Sequence, residues 1–143
     1  MAFPVLGVGV EKLRVVPVNS YRDLEVWQKA TDLVIECYRL TNRFPKSELY
    51  GLTAQIQKAA ISVPANIAEG HGRDHLGDYL HHLSIANGSL MELETHLLIA
   101  NKLCYLKETD LEPVLSRTAE VGRMLAGLAR ALRRKRNPLT PDT

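Results

Sequence analysis

The residues best suited to chemistry in this sequence are cations near its C-terminal end. Residues 117–136 contain seven cations and one anion, Glu120, a local charge of 7 − 1 = +6 in a chain of net charge +2. The cations are Arg117, Arg123, Arg130, Arg133, Arg134, Lys135 and Arg136. Because a guanidinium group can bind phosphate through two hydrogen bonds, this segment is predicted to contact nucleic acid. The alternatives are a solvated face and a surface that docks an acidic protein partner.

Histidines offer a second kind of chemistry. The chain has five of them, His71, His75, His81, His82 and His96. A di-iron centre in a helical bundle needs carboxylates from all four helices and a Glu-x-x-His motif on two of them. These histidines lie on one predicted helix and the loop before it, so we predict surface histidines, no metal and no cofactor.

Catalytic motifs are the next feature to consider. The sequence has no Gly-x-Ser-x-Gly nucleophile elbow. No arginine precedes a histidine at the spacing used by one family of helical RNA-cleaving toxins. We therefore predict a protein that is not an enzyme and has no small-molecule substrate.

Pro64 stands inside a segment, 62–70, that is otherwise typical of a helix. Its ring crowds the carbonyl of Ala60 and it has no N–H, which costs about 3 kcal/mol in a helix interior. We predict a structural motif made of Pro64, Asn66, Glu69, Gly70 and Arg73, grouped with Glu92 and Glu94 of the next helix. In it Ser62, Asn66 or Glu69 would satisfy the disturbed backbone. Ligand binding by this polar group is the alternative.

Two helices are predicted in the first half of the chain. The first begins near Ser20 to Asp23, with Ser20 as its cap, and ends at Phe44-Pro45. The second runs from about residue 47 to residue 68, with Ser47 as its cap. Gly70 and Gly72 are predicted to end it, since glycine readily adopts the left-handed conformation that closes a helix.

The third and fourth predicted helices carry the clearest apolar patterns. A heptad seam in the third contains Leu76, Leu83, Leu90, Leu97 and Cys104. It predicts nearly parallel helix packing and a rod of roughly 45 Å. The fourth helix is predicted to open at the capping-box spelling Thr109 to Glu112, with Pro113 moving its start along the chain.

The first helix has an unusually wide apolar arc. Its charged residues occupy one narrow side of the helical wheel, whereas a surface helix needs an apolar stripe of only about 100° or a little more. We therefore predict that it packs on two sides and forms a subunit interface. Trp27 and Tyr38 are the predicted anchors, because aromatic side chains are enriched in interfaces.

Length and composition indicate one compact domain, with 143 residues of which 45% are hydrophobic. Cys37 and Cys104 lack metal-ligand or redox spacing and fall among apolar residues, so we predict reduced core thiols and a cytoplasmic protein. The first 20 residues lack the basic start of a signal peptide. No apolar run is long enough to span a membrane.

Five stretches together resemble one known family. They are YRDLEVWQKA at 21–30, Phe44-Pro45, YGLTAQ at 50–55, the segment from Ala60 to Gly70, and LSIANGSLMELET at 83–95. The family consists of small four-helix-bundle proteins encoded in intervening sequences of bacterial large-subunit ribosomal RNA genes, sometimes labelled as ribosomal proteins. Its members are similar to the accessory variability determinant of diversity-generating retroelements. That protein is a barrel-shaped homopentamer that binds nucleic acid and a reverse transcriptase.

The expected fold is all-α, an elongated antiparallel up-and-down four-helix bundle over residues 21–136 that assembles into a ring, with a pentamer favoured. Residues 1–20 are expected to be poorly structured or to pack on a neighbour, and residues 137–143 to be disordered. The resemblance implies no catalytic activity. The expected function is that of a nucleic-acid-binding accessory protein. The alternative is a scaffold that docks a partner such as a reverse transcriptase without binding nucleic acid.

Overall fold

The computed structural model describes residues 20–136, so the predictions for residues 1–19 and 137–143 lie outside the described residues. Within the described range all regular structure is helical. The four α-helices are α1 Glu25–Thr41, α2 Leu52–His71, α3 Leu76–Lys102 and α4 Glu108–Arg136. Single 3₁₀ turns precede α1 and α2, at Tyr21–Asp23 and Lys46–Glu48.

The helices contact one another in a closed cycle. Helices α1 and α3 each pack against both α2 and α4, and helices consecutive in the chain are neighbours. The predicted all-α four-helix bundle is confirmed, and this contact pattern fits an up-and-down arrangement. With 27 residues, α3 is about 40 Å long.

The core follows the predicted seam of α3. Leu83, Leu90, Leu93 and Leu97 are at most 2% exposed. Burying a leucine side chain of this kind contributes about 1.5–3 kcal/mol to folding. The seam therefore holds α3 between its two neighbours.

Three predicted helix starts differ from the structure, and one of them is that of α4, which begins at Glu108 and is not moved along the chain by Pro113. Ser20 does form a cap, but for the 3₁₀ turn: its hydroxyl accepts from the Arg22 N–H, and the Asp23 carboxylate accepts from the Ser20 N–H. The predicted cap at Ser47 is wrong, because α2 begins only at Leu52. There the Glu48 carboxylate accepts a hydrogen bond from the Leu52 N–H at 2.9 Å. Glutamate has a longer side chain than serine and reaches this N–H from four residues earlier in the chain.

The two cysteines lie in different environments. Cys37 is fully buried in α1, as predicted. Burial, and secondly the charge of Glu36, raises the pKa of its thiol to about 12. The prediction of a core thiol at Cys104 is wrong, because α3 ends at Lys102 and Cys104 is exposed with φ 68°. This left-handed residue closes the helix, as the Tyr105 N–H donates back to the carbonyl of Ala100 at 2.9 Å.

Candidate functional site

The basic segment forms the C-terminal end of α4, which runs unbroken from Glu108 through Pro113 to Arg136. Its exposed cations on the last two turns are Arg130, Arg133, Arg134 and Lys135. Cations there also face the negative end of the helix dipole, which favours continued helix. We call the last two turns of α4, residues 130–136, the basic end.

Two of the seven predicted cations lie apart from the basic end. Arg117 and Arg123 are exposed on α4. At 1.5 Å per residue, Arg123 is about 10 Å and Arg117 about 20 Å along the helix from Arg130. The structure therefore divides the predicted phosphate-binding set into a dense cluster and two separate positions.

The basic end lies beside the first turns of α3. Leu80 of α3 lines the same groove as Arg130 and Arg133. Residues 71–82, which contain four of the five histidines, therefore lie at the same end of the bundle as the C-terminal arginines. The sequence did not indicate this proximity, because about 50 residues separate the two segments.

A groove of about 300 Å³ separates α3 from α4 next to the basic end. Leu83 and Leu125 form its floor and are buried. Ser84 and Asn87 of α3 stand on one wall and are exposed. We call this space the α3–α4 groove.

A chain of hydrogen bonds connects α2 to α3 on the other side of α3. The hydroxyls of Ser62 and Ser89 are 2.7 Å apart. Asn66 Nδ2 donates to the Ser62 carbonyl at 2.9 Å and contacts its hydroxyl at 3.1 Å. The Asn66 amide oxygen lies 3.0 Å from His82 Nδ1.

These bonds assign a donor role to Nδ1 of His82. Because Asn66 uses its NH₂ group as donor, its oxygen must accept, and His82 Nδ1 must donate. His82 Nε2 then faces the Glu69 carboxylate at 3.7 Å, and Arg73 binds that carboxylate at 2.7 Å. The hydrogen bond from Arg73, followed by the charge of His82, lowers the pKa of Glu69.

The structural motif predicted around Pro64 is arranged differently from the expectation. Pro64 is buried inside α2, which continues to His71. Asn66 binds the carbonyl of Ser62 rather than that of Ala60, the group that Pro64 leaves without its helical donor. Asn66 and Glu69 therefore link α2 to α3.

Gly70 is required for the close approach of these two helices. A Cβ at this position would lie 2.8 Å from His82 Cβ and 3.0 Å from Tyr79 Cδ1. The prediction of a left-handed glycine is wrong at Gly72, which has φ −81°. Gly70 instead provides space that any side chain would occupy.

The predicted grouping with Asn66 is wrong for Glu94, whereas Glu92 lies next to the hydrogen-bond chain of Asn66. Glu92 lines a cleft of about 140 Å³ with Lys58 and His96, and Ser62 and Ser89 of the hydrogen-bond chain line the same cleft. Glu94 lies 3.5 Å from the Thr118 hydroxyl on α4. Neither carboxylate bonds to Asn66, because the turn of α3 that faces Asn66 is the one carrying His82.

Besides Ile61 on α2, the bundle carries exposed apolar side chains on α1 and α3, two helices that do not contact each other. On α1, Ile35 and Tyr38 are 60% and 41% exposed. The exposed apolar residues of α3 are Ile85, Met91, Leu98 and Ile99. Since α1 and α3 face each other across the cycle, these two apolar faces lie on opposite sides of the bundle.

The two aromatic residues predicted as interface anchors differ in accessibility. Trp27 is half-buried, packs on the core and meets the Tyr21 ring edge-on at 5.2 Å. Tyr38 is the more exposed of the two and belongs to the apolar face of α1.

The hydrogen-bond chain that joins Ser62, Ser89 and His82 is the arrangement that the sequence did not indicate. The His82 side chain is only 13% exposed, so its prediction as a surface histidine is wrong. A signal was present, because Ser62 and Asn66 lie one helical turn apart and His82 precedes Leu83 of the seam. In residues 20–136, no three His, Cys, Asp or Glu side chains are placed to hold a metal ion.

No helix in the described part of the chain has the length and apolar character needed to cross a membrane. Among solved structures, a protein from Bacteroides thetaiotaomicron has a similar fold; it is described as a protein with unknown function from the S23 ribosomal protein family. It is 19% identical with a TM-score of 0.67, and the match covers 73% of this chain and 98% of that one. No curated protein matches the sequence.

The family assignment comes from a sequence profile. The profile of the 23S rRNA-intervening sequence protein family matches residues 22–127. This range contains α1, α2, α3 and the first two thirds of α4, and it ends before Arg130. The predicted resemblance is confirmed: the chain belongs to the 23S rRNA-intervening sequence protein family.

Proposed function

We propose that this protein is a non-catalytic nucleic-acid-binding accessory protein that acts as a homo-oligomer in the cytoplasm, without a cofactor. The observation that carries the proposal is the group of exposed cations on the basic end. Arginine binds phosphate in a bidentate geometry that suits a polyanion. The family name refers to intervening sequences of 23S rRNA, which supports RNA as the first nucleic acid to test.

Binding of this type depends on phosphates and therefore shows weak sequence preference. Affinity for a duplex falls by about 0.9 log units per neutralised phosphate for each tenfold rise in salt. One subunit presents only a few cations on its basic end. An oligomer repeats them, so its affinity rises through multivalency without any new contact.

The two apolar faces support assembly into a ring. They lie on opposite sides of the bundle and are made of different residues. An interface that joins one such face to the other is heterologous, and heterologous interfaces close into rings when the rotation permits. Tyr38 is the aromatic anchor on the α1 side, and the family resemblance favours a pentamer.

The proposal is tested by fluorescence anisotropy with labelled RNA and DNA over a range of salt concentrations. We expect a steep decrease of affinity with salt. A quadruple variant, Arg130→Ala, Arg133→Ala, Arg134→Ala and Arg136→Ala, should bind weakly and show a flatter salt dependence. Native mass spectrometry of the same samples should show a single oligomer, and a monomer at micromolar concentration would contradict the assembly.

A charge-matched control separates a specific surface from net charge. Four exposed lysines away from the basic end serve this purpose, in the variant Lys46→Ala, Lys58→Ala, Lys102→Ala and Lys107→Ala. It should bind nearly as well as the unaltered protein. If both variants lose affinity equally, or if neither does, the basic end is not the binding surface. The docking of a protein partner by the same arginines then becomes the better account.

A further inference from the structure

The α3–α4 groove has walls of two different kinds. Small residues of α4, Ala126 and Ala129, face the polar side chains Ser84 and Asn87 of α3. Arg130 and Arg133 line the end of the groove that opens onto the basic end. Apolar surface, hydrogen-bonding groups and cations therefore meet in one space.

The groove exists because α4 carries alanines where the packing of α3 would accept larger residues. Buried Leu83 and Leu125 close the floor, and a leucine at position 126 or 129 would fill the space above them. A volume of about 300 Å³ is at the lower limit for ligand pockets. It suits one planar group of modest size.

An unpaired nucleobase matches these walls. Its faces are apolar and can lie against alanine and leucine side chains or against the plane of a guanidinium group. Its edge carries donors and acceptors, which the amide of Asn87 and the hydroxyl of Ser84 can meet. The phosphate attached to it then lies toward Arg130 and Arg133.

A paired base does not match. In a duplex each base is stacked on both faces and its Watson–Crick edge is occupied, so it enters a pocket only after unstacking and unpairing. Single strands present free faces and edges, and proteins recognise them in loops, bulges and ends. A base-binding groove of this kind would therefore favour single-stranded over double-stranded nucleic acid.

We propose that the α3–α4 groove binds an unpaired base of a single-stranded nucleic acid whose phosphates are held by Arg130 and Arg133. This inference rests on the proposed function and specifies its substrate class. The basic end alone would bind both forms through their phosphates, with no preference for the single strand. The groove adds a preference for the single strand.

The test compares a short labelled strand of mixed sequence, free of self-pairing, with the same strand annealed to its complement. RNA and DNA versions are used, so that both sources of an unpaired base are measured. The unaltered protein should bind the single strand more tightly by about tenfold, on the order of one base contact. Ala126→Leu fills the groove without changing charge, so it should remove most of this difference and leave duplex binding nearly unchanged.

Ala131→Leu is the matched control, since Ala131 is exposed in the same region of α4 but does not line the groove. It should keep the preference for the single strand. Asn87→Leu is a second groove variant on the opposite wall and should act like Ala126→Leu. Thermal melting of each variant establishes that it is folded.

The outcomes distinguish this inference from the proposed function. If the unaltered protein binds single strand and duplex equally, or prefers the duplex, the groove inference is wrong and the phosphate-binding function stands. If Ala126→Leu and Asn87→Leu both keep the preference, the groove is likewise not its source. If neither nucleic acid binds at low salt, the proposed function and the inference both fail.

Discussion

Helix α3 packs against α2 on one side and against α4 on the other, and the two interfaces are filled differently. On the α2 side, Gly70 allows His82 to approach so closely that a Cβ would clash at 2.8 Å. On the α4 side, the nearest atom to a Cβ at Gly122 is the end of the Leu90 side chain at 3.4 Å. The first interface is closed by contact around Gly70 and leaves only a cleft of about 140 Å³ farther along, whereas the second leaves a groove of about 300 Å³.

The α2–α3 interface fixes how the helices pack, whereas the α3–α4 interface contains the groove of the proposed binding site. The α2–α3 interface uses a continuous chain of polar partners from Ser89 to Arg73, which fixes the register of the two helices. The α3–α4 interface has small side chains and exposed polar groups around an apolar floor. One face of α3 thus positions the helix, and the other leaves the groove to which we assign binding.

The largest expected difference in stability between the two interfaces comes from substituting a glycine in each. Gly70→Ala places a Cβ against His82 Cβ and the Tyr79 carbonyl, neither of which is a flexible end. Overpacking costs about 1–3 kcal/mol, and the helix propensity of alanine returns up to about 1 kcal/mol. We expect a net loss of about 1–2 kcal/mol in the free energy of unfolding, measured by urea denaturation.

Gly122→Ala is the matched substitution on the α4 side. Within residues 20–136, its only near neighbour is the end of a flexible leucine side chain, so the propensity gain of about 0.5–1 kcal/mol should prevail. Loss of stability in both variants, or in neither, would show that the two interfaces are equally tight.

Two asparagines of the bundle give the second contrast. Asn66→Ala removes the partner of His82 Nδ1 in the half-buried α2–α3 interface. Leaving such a donor unsatisfied should lower the free energy of unfolding by about 1 kcal/mol. Asn87→Ala, on the exposed wall of the groove, should change it by less than about 0.5 kcal/mol. Equal effects would mean that the polar chain does not hold the helices together.

The smallest expected effect concerns pH. The pKa of Glu69 is lowered from its ordinary value of 4.5 by the Arg73 hydrogen bond and the charge of His82. The folded state therefore binds fewer protons than the unfolded state, and this contribution to stability is present above pH 4.5. It is lost as the pH falls through the lower, folded-state pKa.

Glu69→Gln should remove this contribution, so that melting temperature falls less steeply with acidification below pH 4.5. The control is Glu112→Gln, on the exposed surface of α4. A pH profile that is the same for the unaltered protein and Glu69→Gln would exclude a role of this pair in acid stability.

Hydrophobic periodicity was sufficient to predict the helices and the buried seam of α3. Leu83, Leu90 and Leu97 repeat every seven residues, and all three are buried. The same periodicity misplaced Cys104, because the pattern continues past the residue at which the helix ends. A repeat in sequence contains no information about where the backbone turns.

The sites between helices were less predictable. His82 flanks the seam, and its burial depends on how closely α2 approaches, which Gly70 permits from 12 positions earlier in the chain. The groove depends on Ala126 lying opposite Asn87, a matter of the register between α3 and α4. Neither the approach of α2 to α3 nor the register between α3 and α4 follows from the apolar pattern of a single helix.

The two cysteines differ in accessibility, so their rates of reaction with a thiol reagent can measure how often the bundle opens. Cys104 is exposed in the turn after α3, so a thiol-reactive dye attaches there, at the end of the bundle away from the basic end. Cys37 is fully buried in α1, and alkylation of its thiol must wait until the core opens. The slow second modification therefore counts rare openings of the bundle under native conditions. The same reagent therefore labels the protein at Cys104 and, through its slow reaction with Cys37, measures the opening of the core.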